Sequence, residues 1–91
     1  MGPKGIMQQI QGLNPGDRIE LYLRLEPKNR NLMTRKMCYY DSIHNTGEFS
    51  TNPRIGVHTS CWQVDGGEPE YGGSELISSS TIARIERLVA S

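Results

Sequence analysis

Hydrophobic and polar residues alternate most regularly near the start of this chain. From residue 18 to residue 25, every second position is apolar: Ile19, Leu21, Leu23 and Leu25. The positions between them hold charged residues or tyrosine. A two-residue period of this kind is typical of a β-strand that buries one face. The pattern predicts a strand that ends before Pro27, because proline cannot donate a hydrogen bond to a neighbouring strand.

A helical period precedes this strand. Pro3 suits the first turn of a helix, and the apolar residues that follow fall one, three and four positions apart. They are Ile6, Met7, Ile10 and Leu13. The sequence therefore predicts a short N-terminal helix over residues 3–13, followed by a turn from Asn14 to Asp17.

Further strands are predicted downstream, at residues 32–41 and 55–64 and, more briefly, at Leu76 and Ile77. For the segment 32–41, the pattern leaves open which face is buried. Residues 65–75 combine acidic side chains with four glycines. This composition predicts an acidic, glycine-rich loop between two strands.

The last segment, residues 82–89, allows two interpretations. Its apolar residues have the spacing of a helix face, and equally that of a strand that is bent or bulged at its middle. They are Ile82, Ile85, Leu88 and Val89. No capping box precedes the segment, although the hydroxyl of Ser80 or Thr81 could cap a helix.

The composition limits the classes of function. A chain of 91 residues has room for a single domain, spanning residues 1–91, whose small core would gain from oligomerisation. Its formal net charge is zero, so overall charge does not hold it on a phosphate backbone. Any binding of nucleic acid must therefore depend on a local site.

Cysteine and histidine give little support for catalysis or metal binding. Cys38 and Cys61 are far apart in the sequence, and neither stands near His44 or His58 in a recognisable nucleophile or zinc motif. We expect no enzyme activity, no metal and no cofactor. Without an apolar leader or a run long enough to cross a bilayer, the sequence predicts a cytoplasmic protein with reduced thiols and no membrane partner.

Two short motifs carry the most specific signal. Tyr40 and Asp41 end a predicted strand, and Asn45 follows four residues after Asp41. Near the C-terminus, a serine turn at residues 78–80 precedes apolar residues three apart. Together with the helix, the alternating strand and a variable central loop, these motifs resemble the Sm-like family over nearly the whole chain.

The resemblance implies an all-β fold, a strongly bent five-stranded small barrel with a short N-terminal helix, and a strand at residues 82–89. Family members form rings in which the fourth strand of one subunit pairs with the fifth strand of the next, which leaves no sheet edge exposed. The implied partner is therefore a second copy of the chain. The implied interface residues are Leu76, Ile77, Ile82, Ile85 and Leu88.

The resemblance also implies a nucleotide pocket. Asp41 and Asn45 match the ends of the family's first motif, whereas Ile43 occupies the position of its base-stacking residue. A one-residue shift would bring the His44 imidazole over a base. Ser78 and Ser79 stand where the family has Arg-Gly. The implied RNA-binding residues are Asp41, His44, Asn45, Arg35, Lys36 and Ser78, with Arg35 and Lys36 contributing charge.

The leading hypothesis is a non-enzymatic ring that holds short single-stranded RNA, rich in uridine or adenosine. The alternative is a ring-forming scaffold or protein-interaction module without RNA binding, which the zero net charge and the missing Arg-Gly favour. Asn45 and Asp41 also have simpler roles open to them, as a turn residue and a turn cap. Trp62 is expected in the core or at a subunit interface, with base stacking as its other role.

Overall fold

The computed structural model describes residues 3–25, 32–63 and 65–88. In this part of the chain, one short helix is followed by five strands that form a single antiparallel sheet in the order β4-β3-β2-β1-β5. The elements are α1 Pro3–Gln11, β1 Arg18–Arg24, β2 Met33–His44, β3 Arg54–Gln63, β4 Pro69–Ser78 and β5 Ile82–Arg87. Short 3-10 helices, Gly47–Phe49 and Ser79–Thr81, precede β3 and β5. The predicted strand ends at Pro27, Val64 and Val89 lie outside the described residues.

The predicted N-terminal helix is confirmed, although α1 ends at Gln11, two residues before its predicted end. Ile6 and Ile10 are buried against the sheet. Within the described ranges, no helix has the length and apolar character needed to cross a bilayer.

The alternating segment forms β1 as predicted. Ile19 and Leu21 are completely buried, and Leu23 packs at the margin of the core. Leu25 follows the same period but is exposed, because β1 ends at Arg24. The remaining buried core residues come from α1 and from the other four strands: Ile6, Ile10, Cys38, Tyr40, Ile55, Val57, Ile77, Ile82 and Ile85.

The structure shows which face of β2 is buried, a point that the sequence left open. Cys38 and Tyr40 point into the core, whereas Met37 is exposed on the opposite face. The strand is 12 residues long and continues to His44, three residues beyond its predicted end.

The final segment is a strand, and a β-bulge explains its helix-like spacing. Leu23 of β1 is in register with Ile82, but the preceding Tyr22 is in register with Arg84. Ala83 is thus an extra residue that shifts the alternation by one position. Ile82 and Ile85 can therefore both be buried although they are three residues apart.

The prediction of a loop over residues 65–75 is wrong for most of its length. Only residues 65–68 form the turn, and β4 begins at Pro69. Gly72 lies within β4 opposite Ser60. A Cβ at Gly72 would lie 2.8 Å from the Trp62 ring, so this glycine permits close packing between strands and does not mark a flexible loop.

The sheet is strongly curved but open. Lys36 Nζ of β2 lies 2.7 Å from Glu75 Oε2 of β4, although β3 separates the two strands in the sheet. The 3-10 helix Ser79–Thr81 joins the end of β4 to the start of β5, the two edge strands. In a flat sheet, four spacings of about 4.8 Å would separate these edges by about 19 Å, beyond the roughly 14 Å that four residue steps can span, so the sheet curves towards the face that carries Lys36 and Glu75. No described hydrogen-bond ladder joins β4 to β5, so a closed barrel is not formed within the chain. The all-β class is confirmed at this coarser level.

The contribution of the core to stability can be tested with a matched pair of leucine substitutions. We expect Leu21→Ala to lower the free energy of unfolding by about 2–5 kcal/mol, because it leaves a cavity among completely buried side chains. Leu25→Ala removes the same atoms from an exposed position and should change it by less than about 0.5 kcal/mol. Urea unfolding at matched protein concentration measures both values. Equal effects of the two substitutions would contradict the observed burial of Leu21 and exposure of Leu25.

Candidate functional site

A second β-bulge shapes the end of β2. Tyr40 is in register with Val57, but Ser42 is in register with Gly56, so Asp41 is the extra residue. The bulge reverses the faces that follow: Ile43 packs against the core, and His44 is exposed on the other side. The outward side chains form a polar chain in which Ser42 Oγ donates to Asp41 Oδ2 at 3.1 Å and lies 3.2 Å from His44 Nε2.

A small cavity, which we call the Gly56 pocket, lies beside this polar chain and is lined by two of its members, Asp41 and His44. A Cβ at Gly56 would lie 3.2 Å from Ser42 Oγ, 3.4 Å from His44 Nε2 and 3.6 Å from Asp41 Oδ2. The three polar groups thus converge above a residue without a side chain. The cavity has a volume of about 210 Å³. Its lining residues are Asp41, His44, Gly56, Val57, Ser74, Glu75 and Leu76.

An aromatic and cationic group lies next to the pocket, and we call it the Phe49 cluster: His44, Phe49 and Arg54. The His44 and Phe49 rings meet edge to face, with centroids 6.3 Å apart. The Arg54 guanidinium carbon lies 4.9 Å from the Phe49 centroid. The 3-10 helix Gly47–Phe49 returns the chain after β2, and Arg54 begins β3 in register with His44.

The two sequence motifs meet at this end of the sheet. Arg54 is in register with Ser78 on its other side, at the end of β4. Ser78 Oγ donates to Asn52 Oδ1 at 3.0 Å, and the Ser79 amide donates to the Pro53 carbonyl at 2.9 Å. Asn45 is exposed directly after β2. The predicted residues Asp41, His44, Asn45 and Ser78 therefore belong to one end of the fold.

The two predicted cations are placed differently. Lys36 forms its ion pair with Glu75 across the concave face, and Arg35 Nη1 lies 3.5 Å from Glu20 Oε1 of β1. Neither residue lines the Gly56 pocket. Arg54 is instead the cation beside His44, and sequence analysis missed it together with Phe49. The single phenylalanine of the chain, in a polar stretch between strands, was the available signal.

A second aromatic group lies on the other side of Asp41. The His58 and Tyr71 rings are stacked, with centroids 4.8 Å apart and an angle of 23°. His58 Nε2 lies 3.7 Å from Asp41 Oδ1, which is longer than a hydrogen bond. The Asp41 carboxylate is therefore engaged by a hydrogen bond on Oδ2 and keeps acceptor capacity on Oδ1.

Trp62 is not a core residue. Half of its surface is exposed, and its indole Nε1 donates to Glu70 Oε2 at 3.1 Å. The ring covers Gly72 of the neighbouring strand. This position, away from the Gly56 pocket, also separates Trp62 from the predicted RNA site.

The five predicted interface residues differ in what they could offer a partner. Ile77, Ile82 and Ile85 are buried in the core of their own chain, and Leu88 is half-buried. Leu76 is 45% exposed on β4. Side-chain contacts in an edge-to-edge assembly would therefore come from Leu76 and in part from Leu88, whereas the three buried isoleucines would contribute through their backbone.

Comparison of the chain with protein-family models, curated proteins and solved structures finds no match. Within the described ranges, no three or more His, Cys, Asp or Glu side chains are grouped closely enough to hold a metal ion. The chemistry of the site therefore follows from its geometry alone.

The two cysteines, both free thiols, have contrasting environments. Burial raises the pKa of Cys38 to about 11; the Lys36 charge opposes this effect, and Glu75 adds to it. Cys61 is only partly buried. Because the thiolate is the reactive form, Cys38 should be inert in the folded protein near neutral pH and should gain reactivity only as the pH approaches 11.

In the folded protein at pH 8, we expect a thiol-specific aromatic disulfide reagent to react rapidly with Cys61 alone. Cys38 should react only after the protein is unfolded in urea. Cys61→Ala should remove the fast reaction, and Cys38→Ala should leave it unchanged. Fast modification of Cys38 in the folded Cys61→Ala protein would contradict its burial.

Proposed function

We propose that this protein is a non-enzymatic, ring-forming RNA-binding protein that holds short single-stranded RNA at the end of the sheet where β2 and β4 finish. The observation that carries the proposal is the Phe49 cluster. It combines two rings and a guanidinium in one place, with His44 beside Phe49 and Arg54 above it. Asn45 adds an exposed amide at the same end.

This combination suits unpaired bases. Stacking of a base on an aromatic side chain contributes about 1–3 kcal/mol, and arginine adds both stacking and attraction to phosphate. The Sm-like motif has its stacker where this chain has Ile43, and its arginine where this chain has Ser78. Phe49 and Arg54 would supply both functions from the loop between β2 and β3 and from the first residue of β3.

The strand order supports the ring. β4 and β5 are the two edges of the described sheet, so each presents backbone groups without a partner strand. Pairing β4 of one copy with β5 of the next would satisfy both edges in every copy. This contact joins two different surfaces, so it produces a ring when the rotation between copies closes.

The scaffold alternative is favoured by the electrostatics. The formal net charge is zero, and both predicted cations of β2, Arg35 and Lys36, are held in ion pairs within the chain. These two cations would therefore offer little free positive charge to phosphates. Under this alternative, assembly persists without RNA binding, so the two functions separate in a binding experiment.

The RNA proposal predicts the effects of changing the Phe49 cluster. Arg54→Ala and Phe49→Ala should each weaken binding of a short oligo-U or oligo-A about tenfold, because they remove the cation and the stacking face. Arg18→Ala removes an equal charge from an exposed position at the start of β1 and should have a much smaller effect. Fluorescence anisotropy with labelled RNA measures the affinities.

Asn45→Ala tests the motif residue in the same assay and should weaken binding while light scattering shows unchanged assembly. An affinity insensitive to Arg54, Phe49 and Asn45 would remove the site assignment. Detectable assembly without RNA binding in the wild-type protein would favour the scaffold.

The ring proposal predicts a contrast between two equally exposed apolar residues. Leu76→Arg, on edge strand β4, should reduce the native mass towards that of a monomer, because it places a charge at the proposed interface. Met37→Arg is the control: Met37 is 47% exposed, against 45% for Leu76, but lies on β2 inside the sheet. A wild-type protein that is monomeric by light scattering would contradict the ring.

A further inference from the structure

We infer that the Gly56 pocket receives a guanine base of the bound strand. This inference rests on the proposed RNA binding and adds a base preference to it. The pocket is next to the Phe49 cluster and shares His44 with it, so consecutive nucleotides could occupy the two places.

The hydrogen-bonding capacity of the pocket follows from its proton inventory. A carboxylate only accepts hydrogen bonds, so the single proton of Ser42 Oγ is donated to Asp41 Oδ2. Ser42 Oγ must then accept from His44, which places a proton on His44 Nε2. The His44 and Ser42 donors of this polar chain are thus each directed at the next acceptor. The groups of this polar chain that are left free are acceptors, and those that line the pocket belong to Asp41. The Ser74 hydroxyl also lines the pocket and can donate or accept.

The charges around the pocket also favour a ligand that donates hydrogen bonds. Asp41 and Glu75 both line it, but Glu75 directs its carboxylate to Lys36 across the concave face, so the carboxylate left for a ligand is that of Asp41. A phosphate would meet this carboxylate and would be repelled. A ligand that fits must present hydrogen-bond donors without negative charge.

Among the four RNA bases, guanine best meets this requirement. Its Watson–Crick edge carries two adjacent donors, N1–H and the N2 amino group, which can address the two oxygens of one carboxylate in parallel. Uracil places a single N–H between two carbonyls, which would face Asp41 unfavourably. Adenine and cytosine each offer one amino group beside a ring acceptor.

The shape of the pocket also suits a single base. Its volume of about 210 Å³ is below the roughly 300–1,000 Å³ of pockets for drug-sized ligands. Val57 and Leu76 supply apolar lining, and Gly56 leaves the floor open where any other residue would place a Cβ against the polar atoms.

The test compares three fluorescently labelled pentamers, UUGUU, UUAUU and UUUUU, by anisotropy. We expect the wild-type protein to bind UUGUU about tenfold more tightly than the other two, which corresponds to about 1.4 kcal/mol. Asp41→Asn should abolish this preference, because the amide replaces one acceptor with a donor. Asp65→Asn, which makes the same change in the exposed turn 65–68, should leave the preference intact.

Gly56→Ala provides an independent variant. The added methyl group would lie within 3.2–3.6 Å of the polar atoms, so it narrows the pocket beside them without overlapping the backbone. It should reduce affinity for UUGUU to the level of UUUUU. Circular dichroism confirms that the variants fold.

The outcomes separate the inference from the proposed function. If all three pentamers bind equally and Arg54→Ala weakens each of them, RNA binding stands and the guanine assignment is wrong. If none binds, both are wrong. Competition by free guanosine monophosphate distinguishes the source of the base: inhibition at concentrations similar to those of the pentamer, dependent on Asp41, would overturn the assignment to a strand in favour of a free nucleotide.

Discussion

The candidate site depends on the single extra residue at Asp41. Without it, the alternation of β2 would continue from buried Tyr40 through Ser42 to His44 and would direct both polar side chains into the core. The bulge turns Ile43 inward and leaves His44 exposed. It thereby avoids the cost of burying polar groups, and it collects the carboxylate, hydroxyl and imidazole on one outer face opposite Gly56. One backbone irregularity produces both the core margin and the pocket.

Regular segments were predictable because burial of one face imposes a clear period. α1 and β1 follow from the spacing of their apolar residues, and both exist where that spacing indicated. The bulges at Asp41 and Ala83 break the period by one residue, so the sequence around Ile82 and Ile85 resembles a helix although it forms a strand. The glycines of β4 were misleading, because a glycine-rich composition alone suggests a loop. Gly72 instead leaves room for the Trp62 ring of the neighbouring strand. Such cross-strand contacts cannot be inferred from neighbours in the sequence.

Which residues lie together at the candidate site was predictable in part, whereas their role in binding stays a prediction. Asp41, His44, Asn45 and Ser78 were identified from two motifs, and the fold brings those motifs together through Asn52 and Pro53. Arg35 and Lys36 were predicted to contribute positive charge to the site, but β2 is long enough to carry them away from its end. Phe49 and Arg54 were missed because their relation to His44 arises from the return of the chain through a 3-10 helix and from the β2-β3 register. Register is a property of paired strands, and no single strand reveals it.

The distribution of charge is consistent with recognition of bases more than of phosphates. A neutral subunit gains little from counterion release, so a strand bound by it would depend on contacts with the faces and edges of its bases. In the proposed complex, Phe49 would offer a face to one base, and the Gly56 pocket would offer acceptors to the edge of another. The guanidinium of Arg54 lies over the ring beside the pocket and not inside it, so it can contact a phosphate without neutralising Asp41. Separation of the cation from the carboxylate would allow one short stretch of sheet to attract a backbone and to discriminate a base.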